Sequence, residues 1–224
     1  MRTAGIVPAA GRGERLGHSL PKALVHVGAL PLVVHAIATL MRAGADPVVV
    51  AAPPEAVEEV RRRAPRAVVV PGGAHRWESV RLALEAVPAD VDAVLVHDAA
   101  RPLTPDDVVQ RVIAALAAGA SAAIPALPLA DTVKRVDGYD AVVETVDRTT
   151  LRAIQTPQGF RRDVLADAHA AAAAIASLDV TDDAALVEAM GVDVLTVPGD
   201  PRAFKVTTPW DLAVAELMWE RGMV

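Results

Sequence analysis

The chain of 224 residues contains no cysteine, which excludes a disulfide framework, a thiolate nucleophile and cysteine-ligated metal. Aromatic residues make up only 3% of it, leaving few platforms for stacking nucleic-acid bases. The net charge of −6 is the wrong sign for a broad basic surface that would grip a polyanion. Although 53% of the residues are hydrophobic, no unbroken apolar run approaches the roughly 20 needed to cross a bilayer. The nearest candidate, the alanine-rich stretch 166–176, is interrupted by Asp167 and His169 and reads as a helix. Pro8 and a glycine loop cut short the first apolar run, so no signal-peptide core forms. These absences point to a soluble cytoplasmic protein with no nucleic-acid and no membrane partner. Lysine is scarce as well: Lys22, Lys134 and Lys205 are the only three among 22 basic residues. Lysine is a compact point charge and arginine a planar fork, so the few positions that keep lysine are candidates for chemistry.

Strand-length apolar runs recur at 4–9, 47–52, 67–71, 93–98, 121–126 and 192–198. Amphipathic segments at 31–44, 55–63, 77–87 and 105–119 lie between most of them. This alternation predicts an α/β fold with a mostly parallel sheet covered by helices on both faces. No repeat, linker or long charge block divides the chain, so 1–224 is expected to be one domain. The segment 131–148 departs from the pattern, with two strand-like arms around an Asp137-Gly138 turn. A lone hairpin is marginal in water. It therefore lies on its own sheet or packs as an arm on a second subunit.

Ligands of open parallel sheets bind beyond the carboxyl ends of the strands, and polar clusters gather there in this chain. "PAAGRGERLG" opens a loop from Pro8 to about Pro21, longer than the roughly 12 residues beyond which loops are usually functional. Gly11 and Gly13 admit close backbone approach, while Arg12, Arg15 and Lys22 bring charge. A dinucleotide fold would carry an acid at the end of the second strand, but "AAPPEA" has none before Glu55. A P-loop would place Ser or Thr after its lysine, and Lys22 stands between Pro21 and Ala23. Triphosphate binding by an open cationic loop survives both tests.

"VHDAARP" (96–102) ends the most apolar strand with Asp98, placed to help hold Mg²⁺, and Arg101, placed near an anionic substrate. The plainer alternatives are an Asp98–Arg101 pair that shapes the turn and a packed, hydrogen-bonded His97. "PGGAHRWESV" (71–80) could shape a base pocket through its backbone and Ser79, or be an ordinary turn and helix cap. "TVDR", "QTPQGF" and "FKVTTPWDL" each read equally well as loops.

Taken in order, "PAAGRGERLG" with "PKAL", "GG…SV", "VHDAARP", "DTVKR", "TVDR", "QTPQ", "TDDA" and "KVTTPWDL" closely resemble the 2-C-methyl-D-erythritol 4-phosphate cytidylyltransferase family of the non-mevalonate isoprenoid pathway. The resemblance implies a Rossmann-like nucleotidyltransferase fold that moves the cytidylyl group of CTP onto the sugar-alcohol phosphate with Mg²⁺ or another divalent cation. It matches Arg15 and Lys22 to transition-state cations, and Arg148 and Lys205 to the pair that positions the acceptor phosphate. Asp98, Arg101, Thr132 and Thr156 match residues around the acceptor and the metal, which is held mainly by the CTP phosphates. Pro8, Ala9, Ala10, Gly11, Gly13, Gly73, Ser79 and Ala99 match the nucleotide pocket. The resemblance also implies a homodimer whose 131–148 arm reaches the neighbour's site. From the ending "ELMWERGMV", a fused cyclodiphosphate synthase domain is not expected. Ala74 departs from the pattern, since many members carry a polar or acidic residue there. Backbone contacts to the nucleotide are expected to survive at this position. A ribitol-5-phosphate cytidylyltransferase is the nearest rival, followed by an NAD(P)-dependent oxidoreductase and a non-catalytic nucleotide sensor.

Overall fold

The computed structural model describes residues 1–11, 16, 20–173 and 181–223. The chain opens with β1 (Thr3–Pro8) and a minimal hairpin of β2 (His26–Val27) and β3 (Leu30–Pro31). It continues through α1 (Leu32–Arg42), β4 (Val48–Ala52), α2 (Val57–Arg63), β5 (Val68–Pro71), α3 (Arg76–Glu85), β6 (Ala93–Val96) and α4 (Asp106–Ala117). β7 (Ala122–Pro128) precedes a ribbon of β8 (Val133–Val136) and β9 (Val142–Val146). β10 (Arg152–Ile154), β11 (Gln158–Arg161), α5 (Arg162–Ala173), α6 (Asp183–Ala189), β12 (Val194–Pro198) and α7 (Pro209–Glu220) complete it.

Among the described residues the central sheet has eight strands. β1 lies between β4 and β6, parallel to both, and β5 continues the parallel set beyond β4. β11 runs antiparallel between β6 and β7, and β12 pairs parallel along the other side of β7. The strands read as unbroken Val/Ala/Leu runs because both of their faces are covered. The pleat sends alternate residues to opposite faces. Val7, Val48, Val50, Ala52 and Leu95 pack with Val33 and Leu40 of α1, Val60 of α2, and Val109 and Val112 of α4. Their chain neighbours Ile6, Val49, Ala51, Val94 and Val96 pack instead with Val80 of α3, Leu165 of α5 and Val187 of α6. One apolar run thus feeds two cores, and the expected fold class holds.

One expectation is corrected. "QTPQGF" reads as a loop, yet Gln158, Gly159 and Phe160 form a buried strand. Its pairing comes from the sheet and not from its own pattern: Gln158 faces Val96 of β6, while Gly159 faces both Leu95 and Ala123. Gly159 is required by packing, since a Cβ there would collide with Cγ1 of Val112 on α4.

The 131–148 segment does form a hairpin, with Val133 opposite Val146 and Arg135 opposite Glu144. Its turn is closed by the Asp137 carboxylate, which accepts from the Tyr139 and Ala141 amides at 2.8 and 3.0 Å. The left-handed residue is Asp140, with φ of 60°, and not Gly138. The ribbon forms a sheet of its own and is exposed along nearly all its length, so it does not lie on the central sheet. No helix among the described residues is long and apolar enough to cross a membrane.

Candidate active site

The carboxyl ends of β1, β4, β5 and β6 open on a cleft of about 980 Å³. Its walls are Pro8–Gly11 after β1, Pro53–Glu55 after β4, Gly72–Arg76 after β5 and Asp98–Ala100 after β6. Lys22, Lys205 and Thr207 close it. The glycines of the 71–80 segment allow close approach between walls. A Cβ on Gly72 would meet that of Ala10 at 2.5 Å, and one on Gly73 would meet Cβ of Glu78 at the same distance. Ser79 shapes this wall from beneath: its hydroxyl accepts from the Gly73 amide and donates to the His75 carbonyl, both at 3.1 Å. Glu78, in the first turn of α3, accepts from the Ala74 amide at 2.8 Å and from His75 at 3.2 Å. The amides of Gly73 and Ala74 therefore already have acceptors within the chain.

Asp98 stands where this cleft meets a second, smaller one of about 150 Å³, lined by Arg101, Gln155, Thr156, Gln158, Thr181 and Asp182. Three residues line both: Arg76, Asp98 and Lys205. Oδ1 of Asp98 accepts from Nη2 of Arg76 at 3.2 Å, and Oδ2 pairs with Nζ of Lys205 at 2.8 Å. Burial alone would push the Asp98 carboxyl up; Arg76 and Lys205 outweigh that and hold it well below the usual carboxylate range. Asp98 is thus an anion between two cations, not a proton carrier.

The neighbours of Asp98 are fixed by the backbone. The Thr156 hydroxyl accepts from the Asp98 amide at 3.0 Å and bonds Nδ1 of His97 at 2.9 Å. His97 is fully buried, and desolvation pushes it down to about 4, so it is neutral near pH 7. It is the packed, hydrogen-bonded histidine that the sequence reading allowed. Arg101 does not pair with Asp98. Its guanidinium donates to the carbonyls of Ala203 at 2.6 Å and Ile154 at 3.2 Å. Gln155 clamps the Asp200 backbone, donating to its carbonyl at 2.8 Å and accepting from its amide at 3.0 Å. Together Arg101 and Gln155 fasten the segment that leads to Lys205.

The sequence candidates divide by place. Pro8, Ala9, Ala10, Gly11, Lys22, Gly73, Ser79, Asp98, Ala99 and Lys205 line the larger cleft, and Arg101 and Thr156 the smaller. Thr132 and Arg148 line neither. Arg148 is exposed at the base of the ribbon, where Nη1 donates to the carbonyls of Leu129, at 2.8 Å, and Ala130. Of the three lysines, Lys134 belongs to the ribbon, donating to Thr145 across the strands at 2.5 Å. Gly13 and Arg15 lie outside the described residues. Sequence reading missed Arg76 and the acid behind it, Asp183. Arg76 stands inside the quoted "PGGAHRWESV" and Asp183 inside "TDDA"; the available signal was an acid next to the apolar face of a helix, which demands a cation.

The pattern of the family described as 2-C-methyl-D-erythritol 4-phosphate cytidylyltransferase matches residues 3–221. The chain belongs to this family. It is 55% identical over 222 residues to the 2-C-methyl-D-erythritol 4-phosphate cytidylyltransferase of Frankia casuarinae, a match covering 98% of this chain and 82% of that one. The crystal structure of the Thermus thermophilus cytidylyltransferase superposes with a TM-score of 0.84 at 39% identity, covering 98% of this chain and all (100%) of the other. That of 4-diphosphocytidyl-2C-methyl-D-erythritol synthase from Anaerococcus prevotii gives 0.85 at 26% identity, covering 98% and 99%. The cleft, the Asp98 cluster and the ribbon all fall within the span that matches the cytidylyltransferase family.

Proposed function

We infer that the protein transfers the cytidylyl group of CTP to 2-C-methyl-D-erythritol 4-phosphate, forming 4-diphosphocytidyl-2-C-methyl-D-erythritol and pyrophosphate. The observation that carries this reading is the family match across residues 3–221. No observation favours ribitol 5-phosphate as the acceptor. The two adjoining clefts suit two substrates, the larger for the nucleotide and the smaller for the sugar-alcohol phosphate.

An oxygen of the acceptor phosphate attacks the α-phosphorus, the α–β bridging P–O bond breaks, and pyrophosphate leaves. The attacking oxygen is already anionic, so the reaction needs alignment and charge neutralisation in place of a strong base. In this proposal Lys22, with Arg15, stabilises charge building on the α-phosphate. Lys205, with Arg148, holds the acceptor phosphate, while Asp98, Arg101, Thr132 and Thr156 frame its site. Pro8 to Gly11, Gly13, Gly73, Ser79 and Ala99 form the nucleotide wall. The hydrogen bonds above make Arg101 and Thr156 supports of that frame in the chain alone.

Among the described residues no group of three or more His, Asp or Glu could cage a metal ion. Asp98 contributes one carboxylate beside the cleft. Both of its oxygens already meet cations, Arg76 and Lys205, so Mg²⁺ would be held mainly through the CTP phosphates and its own waters, with Asp98 close by. Such an ion would neutralise charge on the triphosphate. We further propose that 1–224 is one cytoplasmic domain and that it works as a homodimer. Thr132 and Arg148 would reach the partner's clefts from the ribbon.

Pyrophosphate release with CTP and Mg²⁺ tests the reading, offering methylerythritol 4-phosphate and ribitol 5-phosphate in parallel. Release with the first alone is expected. Release with ribitol 5-phosphate alone would keep the chemistry and replace the acceptor, whereas release with neither would remove the activity.

A further inference from the structure

We propose that Arg76 is a positioning residue, anchored from the core by Asp183 and His169, which sets the Asp98 carboxylate and through it the Lys205 ammonium at the mouth between the two clefts. The proposal rests on Lys205 as the ligand of the acceptor phosphate.

Five side chains form an unbroken line. Nε2 of His169 on α5 meets Oδ1 of Asp183 on α6 at 3.0 Å. Oδ2 of Asp183 accepts from Nη1 of Arg76 at 2.7 Å. Nε and Nη2 of Arg76 turn the other way, to Oδ1 of Asp98 at 3.3 and 3.2 Å. Oδ2 of Asp98 then takes Lys205 at 2.8 Å. The inner end of the line is buried and the outer end exposed: the side chain of Asp183 is 0% exposed and that of Lys205 42%, with Arg76 at 25% and Asp98 at 10% between them. The line runs from the core outward to the mouth between the two clefts.

Asp183 occupies a place where its neighbours on α6, Leu186 and Val187, are core residues. A carboxylate buried there costs several kcal/mol unless it is paired. The contact that pairs it is also the shortest that Arg76 makes. The rigid guanidinium plane, fixed at one edge, fixes the other edge too. Asp98 then shares its two oxygens between two cations and does not close on Lys205 alone. That leaves the ammonium at the boundary, on a side chain 42% exposed, with donors to spare for a phosphate. A lysine at 76 would keep the charge but could not span both acids.

The test compares Arg76→Lys and Asp183→Asn with the parent chain, using steady-state kinetics with CTP and methylerythritol 4-phosphate together with thermal unfolding. For Arg76→Lys the acceptor KM is expected to rise about tenfold while the CTP KM stays within about twofold, the span expected when one contact geometry is lost. Asp183→Asn should act in the same direction and more weakly. In a Lys205→Ala background both effects should vanish, because positions that act through one partner are not additive. An unchanged acceptor KM, an equal rise in both KM values, or full additivity with Lys205→Ala would overturn the proposal. If Asp183→Asn does not fold, Arg76→Lys decides alone. Failure of the parent chain to turn over methylerythritol phosphate would instead remove the functional reading and leave the variants' unfolding curves unaffected.

Discussion

The Asp98 cluster and the β8–β9 ribbon both carry candidate site residues, in opposite surroundings. Asp98, His97 and Thr156 are 7%, 0% and 4% exposed, and each meets a partner within its own chain. On the ribbon Tyr139 is 94% exposed, and Val142 and Val143 about 60%. Buried polar groups must be satisfied within the fold, so the cluster is assembled before any substrate arrives. A two-stranded ribbon has no interior in which to satisfy anything, and its apolar side chains face outward. Among the described residues the Asp98 cluster thus finds its partners within one chain, while Thr132 and Arg148 line neither cleft. This contrast supports the dimer proposed above.

The largest test of the contrast lies on the interior side. Lys22→Ala should lower kcat by orders of magnitude, on the order of 10³ for loss of a transition-state cation, with an unchanged unfolding curve. Turnover near the parent rate would remove Lys22 from its role. Next comes pH. Desolvation lowers the His97 value from 6.5 to about 4, so the unfolded chain binds a proton in that window that the folded chain refuses. Stability should therefore fall as pH drops from about 6.5 towards 4, with His97 accounting for on the order of 3 kcal/mol of the loss. Unfolding curves across that window should flatten in His97→Asn; an identical slope would assign the effect elsewhere. The ribbon side gives the smallest effect and the sharpest distinction. Arg148→Ala and Lys205→Ala, each expected to lose about tenfold or more in acceptor kcat/KM, should recover activity when mixed, because one site of a mixed dimer regains both cations. No recovery would mean that Arg148 acts within its own chain.

Much of the fold was legible in advance. The Val/Ala runs at 47–52 and 93–98 became β4 and β6 within two residues, because an element covered on both faces must be apolar throughout. The ribbon was legible from its turn and its paired arms. β11 was not, since "QGF" has no pattern of its own and becomes a strand only between β6 and β7. Within the site, Asp98 was conspicuous as an acid at the end of an apolar strand. Arg76 was not, because its carboxylate partners stand 22 and 107 positions further along the chain.

By itself, the sequence determined the alternation of strand and helix, the glycines where walls approach, and an ordered set of motifs specific enough to point to one family. These follow from local periodicity and from residue types whose chemistry is the same in any fold. Only the tertiary structure decided which acid meets which partner: Asp98 with Arg76 and Lys205, not with Arg101, and Asp183 with Arg76 and His169. Ion pairing depends on a few ångströms between segments far apart in the chain, and no periodicity along the chain records that distance.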